Sequence, residues 1–304
     1  MQDFMRSDGY PSMTSQFVVV GHITHDRCDE TVTIGGSAYF GAAICHRLGN
    51  DAQVVTSVAS DFRFFDEIQA LEPRVLPSPQ TTTFANFYMP NGARSQRVFG
   101  RALQVLPDLL KDCGRSVDVL HLVPVLGEVE LESWKSGCRY RILAIGLQGW
   151  LRTTEGDGKD PRGSLVVPLA WRPRPGELSG VDVAFVSDED LGGDDSLLPE
   201  ICREIPVVIR TSGADGAQII THGECWRIGV YPTQAVDPTG AGDAFAAGFL
   251  HAYASGQNLE AAGRFGAAVA SLVIEGLGGQ SIDRVAEASS RMQRIKSSRV
   301  VSPV

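Results

Sequence analysis

Short runs of β-branched and other apolar residues recur along the chain at Phe17–Val20, Gln53–Ser57, Val117–Val123, Arg141–Ile145, Val181–Val186 and Pro206–Arg210. Each is too short for a helix, and most lack the polar alternation of a half-exposed strand. They read as strands buried on both faces. Between them lie amphipathic or small-residue stretches of helical length. Ala38–Leu48 and Ser196–Glu204 are two, and Ala241–Ala254 is expected to be the longest. Strands alternating with helices predict a mostly parallel sheet with helices on both faces.

Two segments break this rhythm. Residues 28–35 (CDETVTIG) alternate like a strand with one wet face. Residues 81–98 (TTTFANFYMPNGARSQRV) form two alternating stretches around Pro90-Asn91-Gly92, and Asn-Gly is a strong hairpin signal. Both predict a small β lid added to a large α/β domain, which would run over about residues 16–290. The weaker reading is a surface hairpin without function. The ends, 1–15 and 297–304, are polar and aperiodic and read as loose tails.

Composition narrows the function. The 304 residues include 27 Lys and Arg against 36 Asp and Glu, a net charge of −9. Such a surface repels nucleic acid and anionic membranes, although a local anion site remains allowed. The six cysteines form no C-x-x-C pair, which argues against a zinc ribbon and for a reduced, cytoplasmic protein. No apolar run has the roughly 18 residues of a membrane span, and the first residues lack a signal-peptide core.

The chemistry concentrates in Asp237-Pro238-Thr239-Gly240-Ala241-Gly242-Asp243, directly before the apolar stretch Ala244–Leu250. Small residues at a helix start leave backbone N–H groups to face an anion, with the helix dipole behind them. Gly240, Ala241 and Gly242 therefore form a candidate anion hole. Asp243, in the first turn, is placed to take a proton from an attacking hydroxyl while those amides hold the developing charge. An ordinary dipole-stabilising Asp would explain Asp243 alone, but not the three small residues framed by two aspartates.

This stretch, VDPTGAGDAFAAGF, resembles the C-terminal signature of the PfkB (ribokinase-like) carbohydrate kinases. The likeness extends from Phe17 to about Ile282. It implies a ribokinase-like three-layer α/β fold with a β lid, ATP and Mg²⁺ as cofactors, and phosphorylation of a hydroxyl. By the same resemblance Asp243 is the catalytic base. Asp26, in the stretch after the first strand, would grip substrate hydroxyls, with Gly36 of the Gly35-Gly36-Ser37 element. Gln148 and Arg152 fall where relatives carry a substrate-facing polar pair. Ser187, Thr211, Gly213 and Gly216 map to the ATP side. Asp190 occupies the Mg²⁺-linked position, and Asp237 and Thr239 would help a monovalent cation such as K⁺ order the loop. A homodimer through the lid strands is a further expectation.

Departures from the family pattern point to a branch. Phe40 stands where Asn is usual, and Ser187 and Asp190 replace the ends of an Asn-x-x-Glu element. With His25-Asp26 and Gln148-x-x-x-Arg152, these resemble a plant-type myo-inositol kinase. A sugar or polyol acceptor, a cyclitol above all, is therefore expected. A ribokinase-type sugar kinase or a nucleoside kinase on the same fold is the alternative. A base stacked on Tyr39, Phe40 or Phe87 would favour the nucleoside, and a small polar pocket the cyclitol. A sugar-binding or regulatory homologue without turnover is the alternative from another class.

Other clusters rank lower. His22, His25, Asp26 and Cys28 could suggest a metal, but odd spacing sends His22 and His25 to opposite faces of a strand. Glu128, Glu130 and Glu132 read as a solvated acidic face. Arg94, Arg97 and Arg101, in or just after the lid, would meet a phosphate or simply protect an edge strand. The P-loop, the dinucleotide fingerprint and the G-x-S-x-G elbow are all absent from the sequence.

Overall fold

The computed structural model describes residues 15–28, 31–88, 94–113, 116–156, 160 and 162–301. The chain enters the interior of a main sheet with β1 (Gln16–Val20), third from one edge, then leaves it for an antiparallel pair, β2 (Thr24–Cys28) and β3 (Thr31–Gly35). Helix α1 (Ser37–Arg47) returns it to the main sheet at β4 (Asp51–Val58), followed by α2 (Phe65–Ile68) and β5 (Arg74–Pro77). It leaves again for β6 (Thr83–Tyr88) and β7 (Arg94–Gly100), and returns through β8 (Val117–Leu122), α3 (Leu131–Gly137) and β9 (Tyr140–Gly146). The third excursion is β10 (Arg152–Glu155) and β11 (Ser164–Pro168).

From there the chain stays with the main body. β12 (Val183–Ser187), α4 (Asp188–Leu191) and α5 (Leu197–Glu204) precede β13 (Val207–Thr211), β14 (Ala217–Thr221) and β15 (Cys225–Ile228). α6 (Ala241–Ala254), α7 (Leu259–Val273), α8 (Ala288–Met292) and β16 (Ser297–Val300) complete it. The main sheet has the order β16-β15-β14-β13-β12-β9-β8-β1-β4-β5, parallel from β13 to β5 and antiparallel at its other edge. The second sheet has the order β10-β11-β7-β6-β2-β3.

The period of two along each strand divides the core. Phe17 and Val19 of β1 join the layer under α1, α6 and α7, while Val18 and Val20 join the layer with Trp134, Leu198 and Ile201 on the other face. A smaller apolar cluster, Phe84, Val98, Val125 and Leu126, joins the second sheet to the body. α6 and α7 approach closely because glycine faces both ways across their contact. A Cβ on Gly248 would stand 2.8 Å from Val269, and one on Gly266 would stand 2.7 Å from the Phe245 carbonyl oxygen. This contact fixes the axis of α6, and with it the direction in which its first turn points.

Several expectations need correction. The longest described helix is α7, with 15 residues, rather than α6 with 14. α7 starts at Asn258, whose side chain accepts the Ala261 amide at 2.9 Å, and runs one residue longer than α6. The second sheet is larger than the segments 28–35 and 81–98: it begins at Thr24 and includes β10 and β11. Ser297–Val300 is no loose tail but an edge strand paired to β15, an arrangement that needs backbone groups and no apolar pattern. The expected turn at Pro90-Asn91-Gly92 and the tail at 1–14 lie outside the described residues, as do the Arg94 side chain and residues 302–304. No described helix is long and apolar enough to cross a membrane.

Candidate active site

The parallel strands β1, β8, β9, β12 and β13 end on one side of the main sheet, where β1 separates chain excursions to its two neighbours. Such a crossover point in an open α/β sheet is where ligands bind. The loops leaving these ends carry most of the sequence candidates, and the first turn of α6 faces them.

α6 starts at Gly240, whose φ of 77° is a left-handed conformation costly for any residue with a side chain. Space enforces the same choice, because a Cβ there would lie 2.8 Å from the Phe40 ring. Asp243 follows in the first turn and is bonded to the Ser37 hydroxyl of α1. Burial pushes its carboxyl up to about 6, against the pull of Ser37 and Arg152, and the charges of Asp190 and Asp26 add to the rise. These interactions place all four side chains around Asp243. In the sequence Ser37 stands only as part of the Gly-Gly element, and its role emerges from the packing of α1 against α6.

The candidate anion hole has fewer free amides than the sequence suggests. The Ala241 amide donates to the Pro238 carbonyl at 3.1 Å, closing a turn. Among the described residues, the amides of Gly242 and Asp243 have no backbone acceptor, so they are the donors at this end of α6. Asp237 staples the loop: its Oδ1 accepts the Thr239 amide at 2.9 Å and its Oδ2 the Gly278 amide at 3.0 Å. Gly278 in turn lies against Thr33 of the second sheet.

The side of the cleft where the sequence expects the acceptor is built on the second sheet. Asp26 accepts the Thr24 hydroxyl at 2.7 Å and packs on Gly35, where any Cβ would collide with its carboxylate at 2.3 Å. Gly36, with φ of 91°, turns the chain from β3 into α1 against the His22 carbonyl. Arg152, at the start of β10, donates Nε to the Val125 carbonyl at 2.5 Å and Nη1 to Gln96 Oε1 at 3.0 Å. Gln148 lies four residues earlier in a half-buried 3₁₀ turn.

Beyond Asp243 the ends of β12 and β13 form the other wall. Ser187 and Asp190 make a reciprocal cap: Ser187 N and Oγ donate to Asp190 Oδ2 at 3.0 and 2.6 Å, and Asp190 N donates to Ser187 Oγ at 3.1 Å. The altered element is thus a closed unit that still presents Asp190 to the cleft. Thr211 ends β13, and Gly213 and Gly216 shape the turn after it, with φ of 53° and 91°. Asp188 is paired to Arg210, which also reaches Asp195 at 3.1 Å.

The lower-ranked clusters resolve as structure. Burial lowers the proton affinity of His25, which stacks on Phe62 at 5.5 Å and accepts the Arg63 amide. His22 bridges Thr82 and the Leu103 carbonyl at 2.8 Å each. Among the described residues no three His, Cys, Asp or Glu side chains gather to hold a metal. The reading of Glu128 as solvated is overturned. It is 2% exposed and accepts the amides of His22, Val125 and Leu126 at 3.0, 2.8 and 2.7 Å. Despite the burial, these amides and the nearby His22 hold its carboxyl below the usual range. Sequence spacing could not separate this from an exposed acidic run. Arg97 and Arg101 donate to the Gly163 and Leu126 carbonyls.

Residues 184–285 match the model of the pfkB family of carbohydrate kinases. The match covers about a third of the chain, and the chain as a whole has the ribokinase-like three-layer α/β fold. A nucleoside kinase of Methanothermobacter thermautotrophicus is 47% identical over 75 residues, covering 25% of this chain and 24% of that protein. The inositol 3-kinase of Oryza sativa subsp. japonica is 30% identical over 248 residues, covering 76% of this chain and 61% of that one. The matched regions thus span less than two thirds of either relative. In structure, a pyrophosphate-dependent kinase of the ribokinase family, complexed with a pyrophosphate analogue and myo-inositol, superposes with a TM-score of 0.71. It is 21% identical and covers 90% of this chain and 99% of that one.

Proposed function

We propose that the protein transfers the terminal phosphoryl group of ATP to a hydroxyl of a small polyol, a cyclitol in preference to a nucleoside. The observation that carries this reading is Asp243, a half-buried carboxyl with its pKa raised to about 6, at the amide-rich start of α6 and bonded to Ser37. A base poised near neutrality is efficient at removing a hydroxyl proton, and amides beside it stabilise charge on a transferring phosphoryl group.

In this reading Asp26, with the Gly36 turn, Gln148 and Arg152, holds the acceptor beneath the second sheet. Asp243 takes the proton of the attacking hydroxyl, and the amides of Gly242 and Asp243 receive the transferred group. Ser187, Thr211, Gly213 and Gly216 border the donor. Val236 and Leu277, at 56% and 57% exposure, flank the stapled loop as bare apolar surface. A purine could cover them, which supports a nucleotide donor over pyrophosphate. Asp190 is the carboxylate that fits Mg²⁺ arriving on the donor phosphates, as this ion keeps few protein ligands. Bound there, it would neutralise phosphate charge. Asp237, with both oxygens on backbone amides, serves as the staple of the loop.

The cyclitol preference rests on what the cleft lacks. Phe40 is 1% exposed and packed beneath Gly240, so it offers no face to a base. Phe87 alternates with Phe84 and Asn86 along β6 and projects from the opposite face of the second sheet. Tyr39 lies half-buried, edge-on to Phe40 at 5.5 Å. A compact acceptor also matches the inositol 3-kinase likeness. The test is ATP consumption across a panel of cyclitols, pentoses, hexoses and nucleosides. Turnover with cyclitols and none with nucleosides is expected. Preferred nucleoside turnover overturns the acceptor, and no turnover with any acceptor overturns the kinase reading.

A further inference from the structure

We propose that Gln96, backed by Asn86, is a positioning residue that fixes the Arg152 guanidinium in the acceptor cleft. This rests on the cleft being the phosphotransfer site. The register of the second sheet carries the argument. Asp26 pairs with Phe84, Phe84 with Val98, and Asn86 with Gln96, so these side chains share one face. Val98 pairs with Ser164, and Arg152 pairs with Pro168, four residues further along β11. An even separation keeps Arg152 on the face that carries Asp26 and Gln96.

On this face the polar groups form one directed chain. Gln96 Nε2 donates to Asn86 Oδ1 at 3.1 Å, which commits Gln96 Oε1 to Arg152 Nη1 at 3.0 Å. Reversing the Gln96 amide would set an N–H against the guanidinium, so Asn86 selects the working orientation. The Val125 carbonyl holds Nε at 2.5 Å, and the guanidinium carbon stands 5.4 Å from the centre of the Phe84 ring. A long flexible side chain is thereby held from three directions, and these three groups are uncharged. Its positive charge acts on Asp243, whose carboxyl also feels the charges of Asp190 and Asp26.

Two properties follow. Arg152 stays close enough to Asp243 to favour its ionised form, and its position sets the shape of the space left for the acceptor. Neither Gln96 nor Asn86 stands out in the sequence, since each sits in an alternating half-exposed strand where polar residues are the rule.

The test uses the full-length protein with Gln96→Leu, Gln96→Met and Gln96→Glu. The titration of the Asp243 carboxyl is followed by carbon-13 NMR in the free protein, where its other charged neighbours, Asp26 and Asp190, are unaltered. With Gln96→Leu and Gln96→Met the midpoint should rise by about half to one pH unit as Arg152 swings away. With the best acceptor of the panel, kcat/KM for that acceptor should fall roughly 10- to 100-fold while KM for ATP stays within about twofold. Gln96→Glu keeps an oxygen for Arg152 and should restore kcat/KM to within about fivefold. An unchanged Asp243 midpoint and unchanged acceptor kinetics in both apolar variants would overturn the proposal. So would Gln96→Glu being as impaired as Gln96→Leu. Asp243→Asn is run beside them: if it keeps its turnover, the phosphotransfer reading fails, whereas the NMR midpoint judges Gln96 independently.

Discussion

Asp243→Asn removes a charge while keeping volume and a hydrogen-bond acceptor for Ser37, so it separates the proposed catalytic role of Asp243 from its structural cost. The carboxyl has an ordinary value of 3.8 and is pushed up to about 6, chiefly by burial. At about 1.36 kcal/mol per pH unit, the ionised form costs the folded protein about 3 kcal/mol. Because the residue is still partly open to solvent, screening brings this to about 1–3 kcal/mol. The sign follows from proton binding. Below pH 3.8 both folded and unfolded states hold the proton and the cost vanishes; it grows as pH rises and is complete above about 6. Asparagine escapes it. The variant should therefore melt a few degrees above the wild type at about pH 7.5 and lose that advantage by about pH 4. Its kcat should fall roughly 10²- to 10⁴-fold, with little change in ATP affinity. Differential scanning calorimetry at both pH values, beside coupled-assay kinetics, checks the two halves. Near-normal turnover would refute the base, and a variant less stable at neutral pH would refute the burial argument.

Other predictions concern the parts around it. Ser37→Ala removes a bond that favours the ionised carboxyl, so the acid limb of the pH profile of kcat/KM should move above its wild-type position near pH 6. Gly240→Ala meets both a left-handed φ and the Phe40 ring; a loss of about 2–4 kcal/mol in urea unfolding and weaker ATP binding are expected. Glu128→Gln would set an amide N–H against one of three backbone donors and should cost about 2–4 kcal/mol at neutral pH. Because the Glu128 carboxyl titrates below its ordinary range, its contribution is present above that range and lost as pH falls through the lowered value, so the gap should narrow on acidification. For the donor, ATP should support turnover where pyrophosphate does not, and Val236→Ala should raise KM for ATP in initial-rate measurements.

Short unbroken apolar runs are enough to place the buried strands of the parallel sheet, and amphipathic or small-residue stretches of helical length place α1, α5 and α6, because burial on both faces leaves a local signature in composition. The Gly240–Asp243 stretch is legible for a similar reason. A left-handed turn and an amide-rich helix start demand small residues in consecutive positions, and that demand is written locally. Other features exist only once distant segments meet. Ser37 reaches Asp243 through the contact of α1 with α6, and Gln96 meets Arg152 across 56 residues of chain. β16 pairs by its backbone, which no side-chain pattern announces. Glu128 carries the same residue type and spacing as its exposed neighbours, yet three amides from two segments enclose it. Phe40 shows the division most plainly. By sequence it is an apolar residue at a position where the family usually carries Asn, a mark of branch and a candidate face for a stacked base. The tertiary structure makes it the apolar wedge beneath Gly240, because the space under the start of α6 is defined by α1, α6 and the Gly279 turn together.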